Sequence, residues 1–418
     1  MKYFLPFAGS LLITVSGWAQ RDCRWLDYKQ QQLKADPSLA EKVEAVESFT
    51  RVQLHKSSVT VTGQGTKDNI PSLITIPVVV HIVYNSSSQN ISDAQVLSQL
   101  DVLNADYGKH NADTSAIPSY YSSLAANSGF RFVLAGVDTD GHATTGIIRK
   151  FTGVTSFSLN DNVKYSSSGG DDAWDRDRYL NIWVCNLSGN VLGYSSLAGG
   201  SKETDGVVVR YTAFGTKGTA TSPYNRGRTA THEIGHWLNL IHVWGDSDCG
   251  DDEVADTPPQ ATGTYGNPSG IVVSCGNTPY GNLYMDYMDF TDDIGMHLFT
   301  YGQRDRMRSL FAEGGFRQPL LTSTTGAVST GGGGVTAPGM ASEVIVDLYP
   351  NPAMSTLSVN LQGKARVGGK LEVYNQVGMK VMTVRVTELS FQLNLSGLSG
   401  GVYFLRLDGG GSGKFVKL

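Results

Sequence analysis

Three histidines near the middle of the chain have the spacing of a metal site. His232 and His236 are four residues apart, so on a helix both imidazoles project from one face and can reach the same ion. His242 follows six residues later and can join them only if the helix ends and the chain turns sharply at Asn239. Such a turn needs a positive φ, which glycine adopts freely and asparagine tolerates next best. Three imidazoles with an open fourth position are typical of catalytic zinc.

Glu233 directly follows the first of these histidines, and this placement indicates hydrolytic chemistry. A carboxylate beside a zinc-bound water can hold that water and remove its proton, so Glu233 is predicted to be the general base. A bare His-Glu-x-x-His pattern also occurs by chance in many proteins. A histidine-rich helix that only packs in a core would not need a third histidine at this offset, so the pattern predicts a zinc-dependent hydrolase.

Four motifs occur in order along this part of the chain. They are YLNIWVC from Tyr179, GRTATHE ending at Glu233, DDEVADTP from Asp251 and MDFTDD from Met288. Together they resemble the pappalysin family of metzincin zinc peptidases over roughly residues 70–320. The resemblance implies an α/β (α+β) metzincin catalytic domain with a mixed twisted sheet, a backing helix and an active-site helix. It also implies that the three histidines bind one catalytic zinc ion and that Glu233 is the base.

The same resemblance assigns roles to residues further along the chain. The family carries a methionine turn under the zinc, and Met288 is favoured over Met285 because Asp292 and Asp293 then fall where the family has them. Family members prefer an arginine just after the cleaved bond. Asp292 and Asp293 are therefore the candidates for the pocket that would bind it, while a match of the family's specificity position to Ile294 remains open.

Two positions depart from the family pattern. The turn residue is Asn239 where the family usually has glycine. The family also usually has a tyrosine two residues after the turn methionine, where it can support the oxyanion, and here that position is Phe290. Phenylalanine has no hydroxyl, so this contribution is predicted to be lost. If Met285 were the turn residue instead, Tyr287 would restore it.

The chain has four cysteines, Cys23, Cys185, Cys249 and Cys275. The resemblance implies a disulfide between Cys249 and Cys275, which an exported protein allows. Cys185 lies in an apolar strand and is predicted to be a buried free thiol. Cys23 is either a free thiol on a disordered end or, as the resemblance implies, a latency switch that occupies the fourth zinc position and excludes water.

An acidic segment follows the last of the three histidines. Within nine residues it contains Asp248, Asp251, Asp252, Glu253 and Asp256. Hard oxygen ligands at this density suit calcium, although a solvated acidic loop is the common alternative. Members of the family have structural calcium in this region, so Asp252, Asp256 and Thr257 are predicted as calcium ligands.

The composition and the N-terminal sequence predict an exported protein. Charged residues make up 17% of the chain and there are 49 glycines, which suits a loop-rich extracellular protein. The net charge of −5 gives no reason to expect binding to nucleic acid or to a membrane surface. Lys2, the apolar stretch 4–15 and small residues before Ala19 predict a signal peptide over 1–19 that is too short to span a membrane. A polar, helix-prone pro-segment is predicted over 20–50, followed by the catalytic domain over 51–321.

The C-terminal part of the chain has a different character. A flexible linker rich in Gly, Ser and Thr is predicted over 322–342, and short strands broken by glycine over 343–418 predict a small all-β sandwich. The motif LYPNP from Leu348 and the closing KFVKL from Lys414 resemble the sorting domain of the Bacteroidetes type IX secretion system. The resemblance implies export by that machinery to the exterior or surface of a Gram-negative bacterium, while a generic adhesive sandwich is the alternative.

Together these features predict a secreted zinc endopeptidase that acts on proteins or peptides and is made as a latent zymogen. The bond between Thr50 and Arg51 would be a self-cleavage site under a preference for arginine after the cut. Two other interpretations are compatible with parts of the sequence. One is a catalytically inactive metzincin-fold adhesion or binding protein, favoured only by Asn239 and Phe290, and the other is a zinc hydrolase that acts on a non-peptide substrate.

Overall fold

The computed structural model divides into two compact units, Met1–Ala327 and Val328–Leu418. It describes residues 21, 23–60, 70–326, 345–349, 353–362, 367–375, 379–408 and 412–417. The predicted signal peptide therefore lies outside the described residues, as do residues 327–342 of the predicted linker. Among the described residues, no helix combines the length and the apolar character needed to cross a membrane.

The first unit combines helices, strands and short 3-10 turns. The helices are α1 (Trp25–Ala35), α2 (Leu39–Thr60), α3 (Asp93–Tyr107), α4 (Ser119–Ser122), α5 (Arg228–Trp237) and α6 (Tyr301–Ser309). The strands are β1 (Ile74–Tyr84), β2 (Phe130–Leu134), β3 (Ile147–Phe151), β4 (Leu180–Cys185), β5 (Gly193–Ser195) and β6 (Val207–Arg210).

These six strands form one mixed sheet with the order β2-β1-β4-β6-β5, and β3 pairs with the C-terminal half of β1. All pairings are parallel except that of β5, which runs antiparallel to β6 at the edge of the sheet. Strand β1, with the sequence ITIPVVVHIVY, is buried along almost its whole length. A continuous run of branched apolar residues is what a strand covered on both faces requires.

Helices α3 and α5 pack together and against the sheet, α3 against β2 and α5 against β5 and β6. The side chain of Ser92 accepts a hydrogen bond from the Gln95 amide and so caps the start of α3. Every residue of α5 is buried, and its apolar residues Ile234 and Trp237 belong to the main hydrophobic core. The mixed sheet and these helices confirm the predicted α/β class.

Helix α1 and the part of α2 up to residue 50 fall within the predicted pro-segment, and both helices pack on the rest of the unit. Trp25 of α1 and Leu39 of α2 form a small apolar cluster with Leu197. Helix α2 contacts α6. It passes without a break through Thr50, which is fully buried, and Arg51, so the predicted boundary at residue 50 lies inside a helix.

The second unit is built from strands alone in the part of it that the structure describes. These are β7 (Ile345–Tyr349), β8 (Thr356–Gln362), β9 (Lys370–Asn375), β10 (Lys380–Arg385), β11 (Ser390–Asn394), β12 (Gly401–Leu407) and β13 (Ser412–Lys417). They form two antiparallel sheets, β10-β9-β12-β13 and β11-β8-β7, that share one apolar core. This arrangement confirms the predicted small all-β sandwich.

Candidate active site

The three histidines singled out by their spacing converge in the structure. His232 and His236 lie one turn apart on α5, and the chain turns after the helix at Asn239, which has a φ of 71°. The turn brings His242 back, so that its Nε2 lies 3.1 Å from Nε2 of His236, while Nε2 of His232 lies 3.2 Å from the same atom. Asparagine therefore adopts the left-handed conformation that the turn needs.

The other ring nitrogen of each histidine has a fixed acceptor. Nδ1 of His232 lies 2.7 Å from the Tyr287 carbonyl oxygen, and Nδ1 of His236 lies 2.9 Å from that of Leu240. Nδ1 of His242 lies 2.5 Å from the Asp246 carboxylate. Because acceptors hold the proton on Nδ1, all three Nε2 atoms present lone pairs to one point. This is how protein groups around a metal orient its histidine ligands.

The geometry fits zinc. Zinc–nitrogen bonds of about 2.0–2.1 Å in a tetrahedral site place the ligand nitrogens about 3.3 Å apart, close to the observed 3.1 and 3.2 Å. Burial lowers the pKa of His232 and of His236, so both imidazoles are neutral, which is the form that binds a metal.

Glu233 lies beside this cluster and is fully buried. Neither of its carboxylate oxygens accepts a hydrogen bond from the described residues, and burial raises its pKa to about 8. Gly193 of β5 packs directly on it, since a Cβ at that position would lie 2.8 Å from Cγ of Glu233. A buried carboxylate with no partner is costly unless a ligand or water satisfies it, so this group is poised to receive a proton.

Buried hydrogen bonds hold α5 in place. Asp106, near the end of α3, accepts hydrogen bonds from the Thr231 hydroxyl at 2.8 Å and the Tyr287 hydroxyl at 2.9 Å. At the other end of the helix, the Trp237 indole donates to Asp205 at 2.7 Å. No local motif marks Asp106 in the sequence, so its role in holding α5 is visible only in the structure.

Met288 lies beneath α5. A Cβ at Gly235 would lie 2.4 Å from the Met288 sulfur, so the absence of a side chain at this position lets the methionine pack directly against the helix. Met285 packs in a separate apolar cluster. The hydroxyl of Tyr287 is held by Asp106, away from the histidines, whereas the Phe290 ring lies 4.8 Å from that of His242.

Cys23 lies on the open side of the three histidines. Its Sγ is 3.7 Å from Nε2 of His236, near the sulfur–nitrogen separation of about 3.5 Å that a tetrahedral zinc site would give. The neighbouring Trp25 stacks on the His236 ring at 4.5 Å. Burial and the nearby Glu233 raise the pKa of the Cys23 thiol, so only a bound cation would hold this sulfur as a thiolate.

The two candidate specificity aspartates have different surroundings. Asp293 is fully buried and forms an ion pair with Arg21 at 2.5 Å, and it also accepts from the backbone amide of Arg226 at 2.7 Å. Asp292 is partly exposed, and Ile294 is 46% exposed. Arg21 was not singled out from the sequence, where its only signal is a basic residue two positions before Cys23.

The acidic loop contains the predicted disulfide between Cys249 and Cys275. The other two cysteines are free, and Cys185 is buried as predicted. Asp248, Asp251 and Glu253 are exposed, whereas Asp252 is buried.

The three predicted calcium ligands do not have equivalent surroundings. One oxygen of Asp252 accepts from the Thr257 hydroxyl at 2.8 Å, and the other has no partner among the described residues. Asp256 is engaged differently, because it accepts from Thr300 and Gly302 at the start of α6. Asp286, which the sequence analysis missed, also has a buried carboxylate oxygen without a partner in this part of the chain.

Comparisons with known proteins point to one family. The sequence profile described as Pregnancy-associated plasma protein-A matches residues 164–312, and the profile described as Secretion system C-terminal sorting domain matches residues 347–418. An extracellular metalloprotease of Pyricularia oryzae is 33% identical over 254 residues, covering 58% of this chain and 76% of the relative. One of Arthroderma otae is 34% identical over 242 residues, covering 56% and 76%.

Similar solved structures point to the same family. Mature mirolysin of Tannerella forsythia in complex with a cleaved peptide has 50% identity and a TM-score of 0.59, covering 60% of this chain and 97% of that chain. A substituted promirolysin of the same organism has 44% identity and a TM-score of 0.65, covering 72% and 97%. The predicted metzincin fold, metalloendopeptidase activity and type IX export to the cell exterior are thereby confirmed. The chain belongs to the pappalysin family of secreted zinc metallopeptidases.

Proposed function

We propose that this chain is the latent form of a zinc endopeptidase that uses Glu233 as general base and prefers a basic residue just after the cleaved bond. The observation that carries the proposal is the convergence of three Nε2 atoms beside a buried carboxylate without a partner. His232, His236 and His242 would hold the zinc ion.

The chemistry divides between the metal and the protein. Zinc, when bound, polarises the peptide carbonyl and lowers the pKa of water. Glu233 would take the proton from the attacking water and pass it to the leaving amine. Burial raises the pKa of Glu233, and the positive charge of a bound zinc ion would oppose this shift and favour the carboxylate form that accepts the proton. Met288 would support the histidines from below through its contact with Gly235.

Latency would come from Cys23, with its sulfur in the fourth position of the metal site and Trp25 covering His236. The match to a promirolysin structure supports such a latent form. The proposed organisation is a signal peptide over 1–19, a pro-segment over 20–50, a catalytic domain over 51–321, a linker over 322–342 and a sorting domain over 343–418 that the export machinery recognises.

Asp293 is the proposed specificity residue, in preference to Asp292 and Ile294. Support comes from Arg21, whose guanidinium already occupies the pocket formed by Asp293 and the Thr291 carbonyl (the Asp293 pocket). It donates to the Thr291 carbonyl at 2.9 Å and pairs with Asp293 at 2.5 Å. Once the pro-segment leaves, the same buried carboxylate would lack a cation, and an arginine of the substrate would supply one.

Maturation by cleavage between Thr50 and Arg51 remains our proposal, and the structure adds a requirement. The bond lies within α2, and Thr50 is fully buried between Asn239 and Ser309. A helical, buried bond cannot enter an active site, so α2 must unwind locally before this cut.

Calcium is proposed in the acidic loop, with Asp252 as the principal ligand and Thr257 beside it. The support is the partnerless buried oxygen of Asp252, whose pKa is raised to about 7 by burial. Asp286 is close enough that the charge of Asp252 raises its pKa further, so one cation would stabilise both carboxylates. Asp256 is the weakest of the predicted ligands, because both of its oxygens already accept hydrogen bonds from the start of α6.

The test compares purified wild-type protein with Glu233→Gln by mass spectrometry and by hydrolysis of a denatured protein. Removing a general base should lower turnover by at least ~100-fold while zinc content stays at one ion per chain. Glu313→Gln, an exposed site, is the matched control and should leave turnover unchanged. Wild-type turnover in Glu233→Gln would contradict the mechanism, and no cleavage by any form would favour the inactive adhesion protein.

A further inference from the structure

A buried polar pocket beside β5 is filled by one side chain of the pro-segment, Tyr28. This residue of α1 is only 1% exposed. Its hydroxyl donates to Oδ2 of Asp161 at 2.7 Å, and its ring centre lies 4.9 Å from that of Tyr194 in β5. The Lys164 ammonium lies 5.3 Å from the centre of the same ring. The pocket therefore contacts both the aromatic ring and the hydroxyl group of Tyr28.

The walls of this pocket come from the catalytic domain. Asp161 has a φ of 59° and precedes the short 3-10 helix Asn162–Lys164. The Lys164 ammonium donates to the Thr204 carbonyl at 2.8 Å and pairs with Oδ1 of Asp161 at 2.8 Å. It also lies 5.1 Å and 5.5 Å from the ring centres of Tyr194 and Trp183. These contacts do not involve α1, so they can persist when α1 leaves.

Removal of α1 would change the hydrogen bonding of Asp161. Oδ2 accepts from the Tyr28 hydroxyl and, at 3.1 Å, from the Gln32 amide one turn further along α1. Both donors belong to the pro-segment. After maturation both of these donors would be gone while Lys164 stays beside Oδ1, so Oδ2 would be open to a donor from a new occupant. A hydrogen bond to a charged acceptor is stronger than one between neutral groups, so the pocket would favour an aromatic side chain that carries a hydroxyl, as Tyr28 does.

The order of contacts along the pro-segment indicates on which side of the metal site the pocket lies. The pro-segment places Arg21 in the Asp293 pocket, Cys23 at the histidines and Tyr28 in this pocket. A substrate with its arginine after the cut in the Asp293 pocket would cross the site in the opposite direction to the pro-segment. Its residues before the cut would then approach the Tyr28 pocket. The bridge from Cys23 to Gly193 is parallel, so such a substrate would run antiparallel to β5.

We propose that, in the matured enzyme, the pocket formed by Asp161, Lys164 and Tyr194 is a subsite for a tyrosine side chain on the N-terminal side of the cleaved bond. The inference rests on the proposed peptidase function. It adds a second specificity determinant to the basic residue after the cut, so favoured substrates would carry a tyrosine a few residues before an arginine or lysine.

The test uses the matured enzyme and internally quenched peptides with arginine after the cut. Tyrosine, phenylalanine or alanine is placed in turn at each position from the second to the fifth before the cut. At one position we expect kcat/KM to be about tenfold higher for tyrosine than for phenylalanine, which corresponds to one hydrogen bond to a charged group. In Asp161→Asn, whose neutral acceptor is weaker, the ratio should fall to about threefold or less. Asp172→Asn, an exposed site in the same loop, should keep the wild-type ratio.

A binding measurement without turnover makes the pocket testable even if no peptide is cleaved. A synthetic peptide of residues 20–36 should bind the Glu233→Ala enzyme, matured by added wild-type enzyme, about tenfold more tightly than the same peptide with Tyr28→Phe. Equal affinities, or equal kcat/KM for tyrosine and phenylalanine at every position, would overturn the subsite while leaving the peptidase in place. An enzyme that cuts no peptide but still prefers the Tyr28 peptide would instead support the pocket and refute the proposed activity.

Discussion

Replacing Arg21 by alanine should release the latent enzyme. The Arg21 guanidinium makes a buried ion pair with Asp293, donates to the Thr291 carbonyl, and lies 5.1 Å from the centre of the Tyr224 ring. In Arg21→Ala all three contacts disappear, and Asp293 remains as a buried carboxylate without its cation.

The magnitude follows from the burial of the pair. Side-chain exposures of 1% and 0% mean that solvent does not screen this interaction, and removing one partner of a buried ion pair costs about 3–5 kcal/mol. Asp293 keeps two backbone donors, the amides of Arg226 and Arg228, so the lower end applies. About 3 kcal/mol corresponds to roughly a hundredfold rise in the population of zymogen with its pro-segment detached.

The assay is hydrolysis of a quenched peptide by the intact zymogen, with mass spectrometry to follow trimming. Arg21→Ala should raise the early rate by roughly a hundredfold, whereas Lys34→Ala, which removes a charge from an exposed position of α1, should leave it unchanged. After maturation the Arg21→Ala enzyme should match wild type, because residue 21 is then gone. A zymogen with Arg21→Ala that is as latent as wild type would refute the role of the Asp293 pocket in latency.

Two further predictions concern stability. Because Asn239 has a φ of 71°, Asn239→Ala should lower the free energy of unfolding, measured by urea denaturation, by about 1–2 kcal/mol. Asn239→Gly should unfold with a free energy near that of wild type. An equal loss in both variants would argue against backbone strain. Calcium at about a hundred times its Kd should stabilise the protein by about 2.7 kcal/mol, which corresponds to a rise in Tm of about 5 °C for a domain of this size. Asp252→Asn should reduce that rise, and an unchanged rise would place calcium elsewhere.

The elements that follow a local rule could be predicted from the sequence. A spacing of four residues places His232 and His236 on one face of any helix, and Asn239 can take the positive φ that brings His242 back. The apolar run of β1 predicts a strand covered on both faces. In each case the physical requirement is met by neighbours in the sequence, so the pattern is visible without the fold.

Other features depend on segments that are far apart in the chain. Nothing in the sequence distinguishes Asp293 from Asp292 as the partner of Arg21, because the choice depends on which carboxylate the loop turns inward. Likewise, the electrostatic effect of Asp252 on the pKa of Asp286 and the hydrogen bond from Tyr28 to Asp161 follow from the packing of loops and helices against the sheet.

The sequence by itself therefore determined the spacing of the three histidines, the carboxylate of Glu233 beside them and the change of character between the two parts of the chain, since each rests on local spacing or composition. The tertiary structure alone decided how the pro-segment crosses the site. Three of its side chains, Arg21, Cys23 and Tyr28, contact an aspartate pocket, the histidines and a second aspartate pocket in turn. The reason is physical: the burial that strengthens these long-range contacts exists only once the sheet, α5 and the surrounding loops have packed together.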